Sequence, residues 1–148
     1  MTDDSDPERH PQLLLDTHVL VRLTDGSGKL GAQAREAIRG AYREDRAFIS
    51  AITPWEIALL VSKGRLTLDK DVLVWVRSAL GVPGLQLAQL SPEIAVASTR
   101  LPWEMHADPA DRILVATARH LGATFVTADR ALLEMAGKGH FAAMDATA

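Results

Sequence analysis

Four carboxylates in this chain stand where a short apolar run or a loop gives way to a helix-start signal: Asp16, Glu56, Asp111 and Asp129. Asp16 directly follows Leu13-Leu14-Leu15, and Asp129 follows Phe125-Val126-Thr127 by two residues. Glu56 closes Thr53-Pro54-Trp55-Glu56, and Asp111 closes Asp108-Pro109-Ala110-Asp111. Carboxylates drawn together repel one another unless cations sit between them. In a chain without cysteine, such a cluster is the donor set of a hard divalent ion, Mg²⁺ or Mn²⁺, rather than of a zinc thiolate site.

Taken singly, each acid also has a structural explanation. Thr53-Pro54-Trp55-Glu56 reads as a capping box with proline at the first helical position, so Glu56 could bond back to the cap. Asp108 reads as the cap of the helix that contains Asp111. Negative charge in a first helical turn is favourable by about 0.3 to 1 kcal/mol without any ligand. Ser91-Pro92-Glu93 repeats the same start signal, and no chemistry is assigned to Glu93. Convergence of all four acids on one edge would separate the two readings, and that depends on the topology.

Short apolar runs at Leu13 to Leu15, Ala47 to Ser50, Leu85 to Ala88 and Thr124 to Thr127 suit strands covered on both faces. Helical patterns separate them: Val19 to Leu23, Gln33 to Asp45, Trp55 to Lys63, Lys70 to Leu80, Glu93 to Arg100, Pro109 to Leu121 and Arg130 to Met135. This alternation predicts an α/β domain with a mainly parallel central sheet flanked by helices on both faces. In such a sheet ligands bind at the carboxyl ends of the strands, where Asp16 and Asp129 are expected to emerge.

The 148 residues, 47% of them hydrophobic, suffice for one domain with its own core. Residues 1–11 hold two prolines and several charges without periodicity and read as a flexible tail, leaving 12–148 as the domain. Asp3, Asp4, Asp6 and Glu8 outweigh Arg9, so the whole formal charge of −3 lies in that tail and the body is neutral. A neutral body is not the charge profile of a sequence-independent nucleic-acid binder, so any nucleic acid must be held by local basic patches and metal ions. The acidic N-terminus is no export signal, and no apolar run approaches the roughly 20 residues of a membrane span. A soluble, cytoplasmic protein is expected.

At the residues quoted above, the chain resembles the PIN-domain nucleases, and among them the VapC-like toxins. Leu13-Leu14-Leu15-Asp16-Thr17-His18 is similar to the family's first strand and first acid, and Thr53-Pro54-Trp55-Glu56-Ile57-Ala58 with Lys63-Gly64-Arg65-Leu66 to its glutamate segment. Asp108-Pro109-Ala110-Asp111-Arg112 resembles the third acidic motif, and Phe125-Val126-Thr127-Ala128-Asp129 the fourth. The motifs stand in register from Leu13 to about Met135. Arg22, where the subgroup often has an aromatic residue, and Ala110, where it often has Phe, depart from the pattern without touching an acid.

The resemblance implies an endoribonuclease in which Asp16, Glu56, Asp111 and Asp129 hold one or two Mg²⁺ or Mn²⁺ ions that activate water for in-line attack. It also implies a homodimer and a cognate VapB-like antitoxin, with no membrane association. A protein-binding module without catalysis, and a housekeeping or structure-selective nuclease, are the other readings. Thr17 either bonds metal-held water or caps the next helix, and Asp108 is either a cap or a support for Asp111. His18 and His106 are read as structural. Trp55, Arg112 and Arg130 are candidate RNA contacts, the alternative being core or interface for Trp55 and a solvated helix face for the two arginines. Arg35, Arg39, Arg43 and Arg46 form either a phosphate track or a wet face.

Overall fold

Leu13, Leu14 and Leu15 are wholly buried and form the central strand of a five-stranded sheet in the computed structural model, which describes residues 10–106 and 108–148. The elements follow the order β1 (Leu13–Leu15), α1 (Thr17–Thr24), α2 (Ala32–Arg43), β2 (Ala47–Ser50), α3 (Ile52–Ser62), α4 (Val72–Leu80), β3 (Leu85–Ala88), α5 (Pro92–Ser98), α6 (Pro109–Leu121), β4 (Thr124–Thr127), α7 (Arg130–Gly137) and β5 (Ala143–Asp145). All neighbouring strands pair in parallel, in the order β3-β2-β1-β4-β5. The chain leaves β1 toward β2 and β3 on one side, then returns to lay β4 and β5 on the other. The switch point, where ligands settle in such sheets, therefore lies between β1 and β4.

Alternation along β1 sends its side chains into two separate cores. Leu13 and Leu15 pack with Val19 and Leu20 of α1, Ile38 and Ala41 of α2, Ile57 of α3 and Trp75 and Ala79 of α4. Leu14 packs on the opposite face with Phe125, with Leu114, Val115 and Ala118 of α6, and with Leu132 of α7. Helix α6 stops at Gly122, whose φ of 63° is the left-handed conformation that ends helices.

The expected α/β architecture is present, and the four expected strands coincide with β1 to β4. Two features differ from expectation. A fifth strand, Ala143–Asp145, follows α7; at three half-buried residues it is too short to show a periodicity. Helix α3 begins at Ile52 with Ala51 as its cap residue and no side-chain cap bond, so the capping box expected at Thr53 is not formed. Thr53 is instead 1% exposed and turned toward α1. The tail expected over residues 1–11 lies outside the described residues up to position 9. At its end, the His10 backbone N–H and Nδ1 bond to the Glu44 carboxylate, and Arg46 Nε donates to the His10 carbonyl.

Gly84 brings the chain into β3 at φ 93°, and a Cβ there would collide with the backbone of Tyr42 at the end of α2. Gly84→Ala is expected to cost on the order of 2 kcal/mol, from left-handed strain plus displaced backbone. Gly137→Ala, in α7 with open space around the new methyl, is expected to be neutral or to stabilise by up to about 1 kcal/mol. Urea unfolding midpoints of the two variants check the contrast, and equal midpoints would contradict it.

Candidate active site

Asp16 stands at the carboxyl end of β1 as the cap residue of α1, accepting from the Thr17 N–H at 2.8 Å through Oδ1. Parallel pairing of β1 with β4, in which the Asp16 N–H donates to the Val126 carbonyl, brings Thr127 alongside it. The Thr127 hydroxyl donates to Asp16 Oδ2 at 2.7 Å and accepts from the Asp129 N–H at 3.0 Å. One hydroxyl thus fixes both the first acid and the turn that carries the last. Asp129 caps α7 through Oδ1, which accepts from Ala131 and Leu132 N–H. Asp16 and Asp129 therefore flank the switch point.

Glu56 approaches from α3. The Thr17 hydroxyl donates to its Oε1 at 2.6 Å and lies 3.0 Å from the Thr53 hydroxyl. Because Thr17 has one hydroxyl proton and directs it at Glu56, Thr53 is the donor to Thr17. This relay, from α3 to α1 and back to α3, replaces the cap interaction expected of Thr53 and Glu56. Asp111 sits in the first turn of α6, where His106 Nε2 donates to its Oδ2 at 2.9 Å. Asp108 caps that helix, with Oδ1 accepting from Ala110 and Asp111 N–H at 2.9 and 3.3 Å.

The electrostatics are those of crowded, partly dehydrated carboxylates. Burial raises Asp16 from 3.8 to about 6, against the lowering effect of its bonds to Thr127 and Thr17, and the charges of Asp129 and Asp108 raise it further. Burial likewise raises Glu56 from 4.5 to about 7, with Asp16, Asp111 and Asp108 adding to the rise. Asp111 is raised for the same reasons, burial first and then the charge of Asp108 and Asp16, partly offset by His106. Asp16, Glu56 and Asp111 are thus each raised by the charges of neighbouring acids, Asp108 and Asp129 among them. No Lys or Arg among the described residues forms an ion pair with any of them.

The structure accordingly brings Asp16, Glu56, Asp111 and Asp129 to one edge, together with Thr17 and Asp108. Among the described residues no three are drawn tightly enough to enclose a metal ion as they stand. The donor chemistry nevertheless fits a hard divalent cation: all oxygen, dense in negative charge and short of positive charge. Each of the four acids keeps an oxygen that the described hydrogen bonds leave with free lone pairs.

His18 and His106 are more closely tied to the acids than their structural reading implied. His18 Nε2 accepts from the Ala128 N–H at 3.0 Å, so the neutral ring carries its proton on Nδ1, 3.5 Å from Asp16 Oδ2. Burial, assisted by Arg22, lowers His18 from 6.5 to about 4, which keeps the ring neutral near pH 7. Thr127 has the largest positioning role and was not singled out in the sequence. The signal available was a hydroxyl at the end of a strand, two residues before an acid.

Arg112 donates to the carbonyls of Ser98, Met105 and His106, which stitches the approach to α6 rather than forming a solvated face. Arg130 is exposed but paired with Asp145 at 2.8 Å and with Thr147. Trp55 is 55% exposed, whereas Trp75 is core. Arg39 and Arg43 pair with Glu36 on the open face of α2.

A family model for the PIN domain matches residues 13–138. The chain is 32% identical over 120 residues to "Ribonuclease VapC22" of Mycobacterium tuberculosis, across 81% of this chain and 88% of that protein. VapBC2 from Rickettsia felis, solved bound to a DNA fragment from its promoter, has a TM-score of 0.61 at 14% identity, covering 89% of this chain and 96% of that one. DNA-bound VapBC from Salmonella typhimurium gives 0.63 at 18% identity, covering 91% and 98%.

Proposed function

The chain belongs to the PIN domain family, and from that premise we propose that it is a divalent-metal-dependent endoribonuclease, the toxin of a VapBC-type pair. The observation that carries the reading is the edge at the β1/β4 switch point: carboxylates from four parts of the chain, three of them (Asp16, Glu56 and Asp111) raised by burial and by neighbouring acids, without a paired Lys or Arg among the described residues. A protein-binding module has no use for such a concentration of uncompensated charge. The identity to a ribonuclease supplies RNA as the substrate.

Asp16, Glu56, Asp111 and Asp129 would hold one or two Mg²⁺ or Mn²⁺ ions. When bound, the cation lowers the pKa of water and offsets charge on the phosphodiester. Thr127 and Thr17 N–H hold Asp16 in a fixed orientation, and the Thr17 hydroxyl holds Glu56 Oε1 while leaving Oε2 free to ligate. The neutral His18 ring accepts from the Ala128 N–H, which holds the turn before Asp129, and brings Nδ1 to 3.5 Å from Asp16 Oδ2. His106 steers Asp111 toward the edge and partly balances its charge. Asp108 acts as a cap and, through the Asp111 N–H, as a support. Trp55, exposed one residue from Glu56, is available to stack on an unpaired base.

The test is incubation of the purified protein with single-stranded RNA, in Mn²⁺ and in EDTA. Internal cuts that appear with Mn²⁺ and vanish with EDTA are expected, and intact RNA under both conditions would refute the reading. A small antitoxin, placing a basic side chain among the carboxylates, balances the same charge and blocks the edge. A purified complex with such a partner that still cut RNA would contradict that. Leu73 and Val74 on α4 are each 55% exposed and suit a two-fold contact between copies, so light scattering is expected to report a dimer. No helix among the described residues is long and apolar enough to cross a membrane, and the proposed place of work is the cytoplasm.

A further inference from the structure

A nuclease that cuts within a strand must also hold the strand beside the cut, and Arg112 and Arg130, which follow two of the edge acids, are already engaged. Basic side chains without an acidic partner gather instead around a cavity of 330 Å³ between the end of α5 and the last turns of α6. Ala97 and Ala116 are among its walls, Arg100, Arg119 and His120 line it, and none of the residues lining it is acidic. The side chains of Arg100 and His120 have no hydrogen-bond or ion-pair partner among the described residues.

Arg119 is fixed in a particular way. Its guanidinium carbon lies 5.0 Å from the centre of the Trp103 ring, and Trp103 stacks in turn on His140, with centroids 4.4 Å apart and planes 9° apart. Stacking holds the guanidinium without using its N–H donors, so little freedom remains to be lost when a phosphate binds. Arg119 and His120 also complement the negative end of the α6 dipole. That accounts for two basic residues at a helix end, but not for Arg100, which comes from the segment after α5, nor for the stack on Trp103.

We infer that this cavity is a subsite for a phosphodiester of single-stranded RNA flanking the cut, an inference that rests on the ribonuclease reading. Arg100 and Arg119 bond the non-bridging oxygens, and the His120 ring contributes a further donor. From Asp111 to Arg119 the axis of α6 advances about 12 Å, so the strand would reach the cavity a few nucleotides from the acids.

The test measures binding of a labelled single-stranded RNA by fluorescence anisotropy in EDTA, across a salt series, for wild type, Arg100→Gln, Arg119→Gln and the distant Arg77→Gln. The two cavity variants are expected to bind several-fold more weakly, each with a log-log salt slope shallower by about 0.7, while Arg77→Gln matches wild type. In Mn²⁺ the cavity variants should show a raised KM and unchanged kcat on long RNA. They should match wild type on a substrate too short to reach the cavity. If both variants bind and cut like wild type, the subsite is refuted and the nuclease reading stands. If wild type itself neither binds nor cuts RNA, the nuclease reading fails and the subsite with it.

Discussion

Asp111→Asn is expected to lower RNA cleavage by orders of magnitude while leaving the metal-free protein as stable as wild type or more so. Asparagine keeps the size of the side chain and its oxygen toward His106. What it removes is one charge from a group that burial and the charges of Asp108 and Asp16 already penalise. The opposing loss, a negative charge in the first turn of α6, is worth a few tenths of a kcal/mol for a partly exposed group. If Asp111 were only a helix-start residue, the signs would reverse: slightly lower stability and full activity. Wild type should also melt higher in Mn²⁺, because a ligand that binds only the folded state shifts unfolding by mass action. The variant should gain clearly less. Equal Mn²⁺ shifts in both proteins, with cleavage retained in the variant, would remove Asp111 from the site.

The second large effect is a contribution of Asp16 to stability that falls as pH rises, read against Asp16→Asn because the lowered His18 acts with the opposite sign in both proteins. Asp16 is 6% exposed, and its carboxyl titrates near 6 in the fold against 3.8 outside it. Between those values the folded state binds more protons than the unfolded one, so the stability contributed by protonated Asp16 is full below pH 4 and lost as pH rises through 6. A displacement of this size corresponds to on the order of 3 kcal/mol. Glu56 acts with the same sign between 4.5 and about 7, more weakly because it is better solvated. Urea titrations from pH 4.5 to 7.5 in EDTA should therefore show wild type losing stability relative to Asp16→Asn. Parallel curves for the two proteins would contradict the buried charge. At pH 7.5, Mn²⁺ should recover the loss in wild type alone.

The acids and their neighbourhoods were legible because they obey local grammar: an apolar run that ends in Asp, or a proline at a helix start with an acid behind it. Strands β1 to β4 were legible for a related reason, since each is a short, mainly apolar or β-branched run lying between helical patterns. The relay from Thr53 through Thr17 to Glu56 was not legible. It joins residues 36 and 39 positions apart, and the local pattern at Thr53 argued for a cap that tertiary packing overrides. Arg112 misled in the same manner. Its position after a candidate ligand suggested phosphate, whereas its partners are carbonyls that only the folded end of α5 and the loop before α6 present. Strand β5 was missed because three half-buried residues carry too little hydrophobic signal for any periodicity to register.

The division of the interior by the sheet has a mechanical consequence. Thr17 and Glu56 ride on helices seated in one core, Asp111 and Asp129 on helices seated in the other, and Asp16 sits on the seam between them. A cation gripped by all four acids would rivet the two halves across that seam, so tightening would travel along α7 from its cap Asp129 and, through the other core, to α4, which carries no ligand atom. Conversely, slack introduced in either half, for instance by trimming Ile57 or Leu132, would widen the jaw before the chain unfolds. Metal affinity in this protein should therefore serve as a gauge of how well both halves are packed.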